Sequence, residues 1–264
     1  MATCGDLQNG LLQRCRQSGV NWGGTPTNTA TSLLPPYRVL YELNQSYSRV
    51  LALVKDFPIA TIEVSFPTVA NTSRVSINPC PNTALGAANP SLMQIYEYKY
   101  TQAAGQIRYI PFASDSKYRQ YTAGYNQVNS SFSAFPDILR QTFGLRVIDA
   151  FPGYGTSGDT ITLTGCPDPI ATGTTLSCAN GGLMVAISDV PILPAEFHPV
   201  ILAGAILQVA PDLDKVKVGE DAQKSWDAFV QAMEDFGSTT AEGDAQQQVI
   251  DTWSAFISPE LSVM

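Results

Sequence analysis

The sequence predicts an α+β protein in which N- and C-terminal helices form a helical bundle that carries a large inserted antiparallel β-rich domain. Three observations predict it. Apolar residues recur at helical spacing near both ends of the chain. Between about residues 58 and 190 the period drops to two. Within that stretch, short runs of β-branched and aromatic residues are separated by Gly, Pro and Asn turns. The expected parts are 1–57, the N-terminal helices; 58–190, the inserted β-rich domain; and 191–264, the C-terminal helices with an acidic tail.

The first helix is expected from Gly5 to Ser18, with Leu7, Leu11, Leu12 and Cys15 on one face and Gly19 as the stop. A polar loop, Asn21 to Thr29, follows. Pro35-Pro36 opens a strong helix, because proline at the first helical turn lacks only an N–H that would be unpaired anyway. Its stripe is Val39, Leu43, Tyr47, Val50 and Val54, and Asp56-Phe57-Pro58 ends it.

Strands are then expected at Ile59–Phe66, Arg74–Ile77, Leu92–Tyr100, Gln106–Ile110, Leu145–Ile148, Thr160–Leu163 and Leu183–Ile187. The polar, aromatic stretch between Pro111 and Phe143 reads as a long excursion. Helices return after Pro191. Pro194 starts one with Phe197, Val200, Ile201, Gly204 and Leu207 on a single face. Ala222, Trp226, Phe229, Met233 and Phe236 step four, three, four, three as a helical seam, and Gly237 is the expected C-cap. A last helix carries Val249, Ile250, Trp253, Phe256 and Ile257.

The 264 residues are 44% hydrophobic and only 14% charged, against roughly 25% charged in an ordinary soluble domain. A surface so poor in charge is covered by Ser, Thr, Asn, Gln and Gly, or by partner chains. No apolar run approaches the roughly 18 residues that span a bilayer. The first residues lack a basic region followed by an apolar one, so the chain is expected to stay in a reducing cytosol rather than enter secretion. Cys4, Cys15, Cys80, Cys166 and Cys178 are odd in number and lack C-x-x-C spacing, and are expected to be small buried thiols.

The net charge of −8 is unevenly placed. Residues 1–210 hold twelve Lys/Arg and twelve Asp/Glu, whereas residues 211–264 hold three and eleven. No basic face that would grip a duplex is legible. The acidic segment reads as a solvated helix face, or as a surface that docks on a basic partner.

Five patterns could carry chemistry. Gly153-Tyr154-Gly155-Thr156-Ser157-Gly158 matches the dinucleotide fingerprint in letters, but a strand pattern rather than a helix follows it, so it reads as a β-hairpin loop. His198, the only histidine, would have to serve any Ser-His-Asp or Cys-His arrangement, and reads as structural. Glu63, Glu97 and Asp159 could supply a carboxylate pair for glycoside cleavage. Asp212-Leu213-Asp214 hints at a calcium loop, without the glycine and glutamate spacing of one. Tyr96, Tyr98, Tyr100, Tyr109, Tyr118, Tyr121 and Tyr125 suit a stacking platform or, better, a core with a subunit interface. The glycosylation patterns at Asn44, Asn71 and Asn129 carry nothing in a chain expected to remain in the cytosol. No catalytic, cofactor-binding or metal-binding residue is assigned, and no cofactor is expected.

Three stretches resemble the head-to-tail adaptor (neck, connector) proteins of tailed phages. Thr3-Cys4-Gly5-Asp6-Leu7 is similar to their opening helix. Leu40 to Val50, with Asn44, Tyr47 and Arg49, resembles their helix with an Asn followed by an aromatic and then a basic residue. Val190 to Ala205 resembles their Pro-led helix that returns the chain to the bundle. The resemblance implies a non-enzymatic virion protein in the neck, assembled in the host cytoplasm as a homo-oligomeric ring of roughly twelve subunits. Its partners would be the portal protein and a tail or nozzle protein. DNA would pass through the channel without sequence-specific binding, and no membrane is involved. The competing readings are another tail- or capsid-associated structural protein, a tail glycan hydrolase and a carbohydrate-binding module.

Overall fold

The computed structural model describes residues 2–15, 34–76, 90–124, 132–133, 136–142, 147–155, 157–174, 176–213 and 215–239. It is a mixed helix-and-sheet protein, and among the described residues its paired strands are antiparallel with one short exception. The chain divides into two compact units, Met1–Ala60 with Asp168–Met264, and Thr61–Pro167. Among the described residues no helix is long and apolar enough to cross a membrane.

The helical unit contains α1 (Cys4–Arg14), α2 (Pro36–Val54), a single-turn α4 (Pro169–Thr172), α5 (His198–Val209) and α6 (Val216–Thr239). A reciprocal cap starts α1: the Thr3 hydroxyl accepts from the Asp6 N–H at 3.2 Å, and the Asp6 carboxylate accepts from the Thr3 N–H at 2.8 Å. Helix α1 ends at Arg14, before the expected Ser18, with Cys15 as its cap. In α2 the stripe Val39, Leu43, Tyr47, Val50 and Val54 is buried.

Helix α5 packs against α1, α2 and α6. Its sequence, HPVILAGAILQV, is apolar on every side, and nine of its twelve residues are buried, so the expected single face is corrected to burial all round. On α6, Ala222, Phe229 and Met233 are buried, and the Phe229 ring meets Phe197 edge-on at 6.1 Å. The helix runs through Gly237 to Thr239, so Gly237 is not its cap. The expected helix over Val249–Ile257 lies outside the described residues.

The β unit holds two sheets. The first has the order β1 (Ile62–Pro67), β8 (Thr160–Pro167), β3 (Leu92–Thr101) and β4 (Ile107–Tyr109), all antiparallel. In the second, β2 (Thr72–Ser76) lines one edge of β7 (Val147–Tyr154). The other edge of β7 takes β6 (Ile138–Thr142) antiparallel and the two-residue β5 (Phe132–Ser133) in parallel. Strand β1 alternates buried and exposed without a break, placing Ile62, Val64 and Phe66 in the core.

Two expectations fail here. The excursion between Pro111 and Phe143 contains helix α3 (Asp115–Gly124) as well as β5 and β6. Among the described residues of α3 only Tyr118 is buried, so no apolar stripe announces the helix.

The expected strand Leu183–Ile187 does not form, and the β unit ends at Pro167 rather than at 190. The hydrogen bonds of 183–189 go to helices and turns instead. Leu183 N–H donates to Gly173 O, and both polar atoms of the Asn44 amide pair with the Met184 backbone at 2.9 Å. Asp189 accepts from the N–H groups of Val185 and Ala186. The carbonyls of Ile187 and Asp189 accept from Gly5 and Cys4, two of the otherwise unpaired N–H groups of the first turn of α1. With those groups taken, a β-rich composition has no ladder to join.

Candidate functional site

The glycine-rich run is not a phosphate cradle. Gly153 and Tyr154 finish β7, and β8 begins at Thr160 without an intervening helix. The two strands lie in different sheets, so the expected hairpin is corrected to a crossing between sheets. The loop is tied to residues 68–71: Thr68 N–H donates to Asp159 O at 2.7 Å, Ala70 N–H to the Ser157 hydroxyl at 2.9 Å and Asn71 N–H to Tyr154 O at 2.8 Å.

His198 is 2% exposed and fully bonded. Ala2 N–H donates to Nδ1 at 3.2 Å, so the proton sits on Nε2, which donates to Leu193 O at 3.0 Å. Burial lowers its pKa, partly offset by the Leu193 carbonyl. This is a neutral imidazole that ties three segments together, with no nucleophile in its hydrogen bonds.

The three candidate carboxylates separate. Glu63 on β1 and Glu97 on β3 both oppose Thr164 of β8, one from each side. They share a solvent face about two strand spacings, ~9.6 Å, apart along the sheet. Neither is buried, and burial is what makes a carboxyl an acid catalyst in glycoside hydrolysis. Asp159 is 5% exposed and accepts from the Tyr100 hydroxyl at 2.7 Å and the Ala103 N–H at 2.9 Å. Asp212 pairs with Arg38, and Asp214 lies outside the described residues. Among the described residues no group of three or more His, Cys, Asp or Glu is placed to hold a metal.

The tyrosine cluster divides between core and surface. Tyr98 and Tyr100 are buried with Tyr154. The Tyr98 and Tyr154 hydroxyls share a hydrogen bond, and Tyr100 stacks on Tyr154 at 5.9 Å. Burial raises the pKa of Tyr98 and Tyr154. Tyr118 is buried beneath Arg140, whereas Tyr109 is 62% and Tyr121 37% exposed. Tyr125 lies outside the described residues. Cys4, Cys15, Cys166 and Cys178 are buried free thiols, and burial pushes Cys4 up to about 12 and Cys178 to about 11, which makes both inert. Cys80 lies outside the described residues.

One charged chain escaped the sequence. Arg74 grips Asp149 through Nε at 2.7 Å, Arg140 reaches Asp149 at 2.5 Å and Asp115 at 2.6 Å, and Arg119 closes on Asp115 at 2.8 Å. Burial pushes the Asp149 pKa up, but hydrogen bonds and charge from Arg74 and Arg140 outweigh it and leave the group lowered. The available signal was a lone carboxylate inside the apolar run Val147-Ile148-Asp149-Ala150.

What remains open is surface. In the helical unit α2 presents Tyr37, 76% exposed, and Tyr41, 58% exposed, one turn apart. In the β unit Ile107 and Tyr109 of β4 are similarly bare. Large exposed aromatics at this density suit protein contacts better than catalysis. No protein-family model matches the chain, and no curated sequence matches it.

Proposed function

We propose that the protein is a structural component of a tailed-phage particle, an adaptor ring that joins the portal to the tail or nozzle and extends the DNA channel. The observation that carries the reading is the chain's division: one helical unit drawn from both ends of the sequence, and one β unit drawn from its middle. That is the layout implied by the three resembling stretches. In this reading the terminal helices are a bundle that forms the ring wall, and the β unit is the insert that meets the tail.

The activity is mechanical. A ring built from identical heterologous contacts turns the underside of the portal into a docking surface for the tail. Two further features support it. The charged fraction of 14% is low for a surface that stays in water on all sides. Arg38 and Arg74 are held in ion pairs with Asp212 and Asp149, so they are not free to grip passing DNA.

Negative-stain electron microscopy of the purified protein, alone and mixed with a tailed-phage portal, tests this. The expected result is rings, or added density beneath the portal. A monomer that leaves the portal bare would move the assignment to a binding module or hydrolase. Glu63→Gln with Glu97→Gln would then separate those two by activity on a glycan.

A further inference from the structure

Helix α5 lies between α2 and α6 in packing order, and the buried sides of both outer helices face it or its neighbours. Their outward sides differ in character. On α2 the exposed side carries Tyr37, Tyr41 and Arg49, with Ala52 beyond. Among the described residues Arg49 makes no ion pair. On α6, Glu220, Asp227 and Glu234 recur every seven residues on an exposed stripe, with Gln223, Lys224 and Gln231 between them, and Lys224 is paired with Asp221 at 3.6 Å. Gln223 already steadies Asp227 at 2.6 Å.

We propose that the aromatic, basic face of α2 (Tyr37, Tyr41, Arg49) is the docking surface for the acidic stripe of α6 (Glu220, Asp227, Glu234) of a second copy of this chain. The inference rests on the assembly reading above in taking the occupant to be another copy. Charge complementarity selects the pairing. Two α2 faces would set Arg49 against Arg49, and two α6 faces would set carboxylate against carboxylate. Only α2 against α6 places opposite charges together while covering two large exposed rings. Because the two faces are different, the contact is heterologous and can repeat around a ring, whereas a self-complementary face stops at a dimer. The tyrosines supply most of the attraction and the charges set orientation.

The test is the mass distribution of the full chain by sedimentation velocity over a concentration series, with and without a tailed-phage portal, each variant first shown to melt like wild type. Replacing both tyrosines (Tyr37→Ser with Tyr41→Ser) is expected to raise the concentration needed for association about thirtyfold. Arg49→Glu or Asp227→Lys alone is expected to raise it about fivefold, and the two together to restore much of the loss. Oligomers indifferent to all these substitutions overturn the inference and leave the adaptor reading standing. Oligomers that respond as expected but ignore the portal uphold the inference and sink the adaptor reading. A chain that stays monomeric in every condition overturns both.

Discussion

The helical unit and the β unit bury polar groups for different purposes. In the helical unit, buried polar side chains join pieces of chain far apart in sequence: Asn44 clasps Met184, and His198 holds Ala2 and Leu193. In the β unit they act on strands already registered: Tyr98 meets Tyr154 between the two sheets, and Asp149 holds Arg74 and Arg140, its partners on the strands at either side within one sheet. The first kind fixes which segments belong together. The second kind reinforces strands and layers that the backbone has already placed. A helix pair has no ladder to set its neighbours, so it needs side-chain clasps to do so, whereas a strand inherits its neighbours from backbone hydrogen bonds.

The hardest test of this contrast is one methyl group in each unit. A Cβ at Gly165 would strike the backbone carbonyl of Gln94 on the neighbouring strand, and one at Gly204 would strike Ser46 and the Trp226 ring. Gly165→Ala is expected to cost about 3 kcal/mol, and Gly204→Ala about 2 kcal/mol because side chains yield more readily than a ladder. Thermal unfolding followed by calorimetry and hydrogen exchange should show the first loss in strands 62–67, 92–101 and 160–167, and the second in α2, α5 and α6.

Asn44→Ala comes next. It leaves the Met184 N–H and C=O buried without partners and should cost about 2 kcal/mol by denaturant titration. The loss should be accompanied by faster exchange at residues 183–189 and at the first turn of α1. If those amides stay protected, the clasp is not what holds the segment.

Asp149→Asn tests the sheet side of the contrast. It removes the charge that Arg74 and Arg140 share, at an expected cost of about 1–2 kcal/mol, since both arginines reach water and are screened. The wild-type contribution is present above the ordinary carboxylate pKa and is lost as pH falls through the lowered folded value. The variant should therefore unfold with a shallower dependence on acid below about pH 4.

The smallest effect is expected from His198. Its folded pKa is lowered by burial, so its contribution is present above the ordinary value of about 6.5 and lost as pH falls toward the folded value. Melting temperatures between about pH 7 and 5 should fall in wild type and stay flatter in His198→Asn.

Much of this fold was legible in the sequence. The Pro35-Pro36 start of α2, its stripe and most strands of the first sheet follow from periodicity and turn residues, whereas Pro194 leads a single 3-10 turn and α5 begins at His198. The failures share one cause, which is that partners outside the local window decide. Leu183–Ile187 has the composition of a strand, but α1 and Asn44 take its backbone. Strand β6 looks polar because Arg140 spends its charge on Asp149 and Asp115. The all-round burial of α5 depends on three helices packing against it. For the candidate site, the sequence singled out His198 and grouped Asp159 with Glu63 and Glu97, but gave none of their bonds. The exposure of Tyr37 and Tyr41 was invisible, since a tyrosine reads alike in a core and on a surface.

The most direct measurement is the native mass of a tailed-phage portal before and after incubation with the purified chain. The expected result is a single step, the gain of one closed ring of chains of 28.4 kDa each. A portal whose mass does not change, beside a chain that remains at 28.4 kDa, would contradict it.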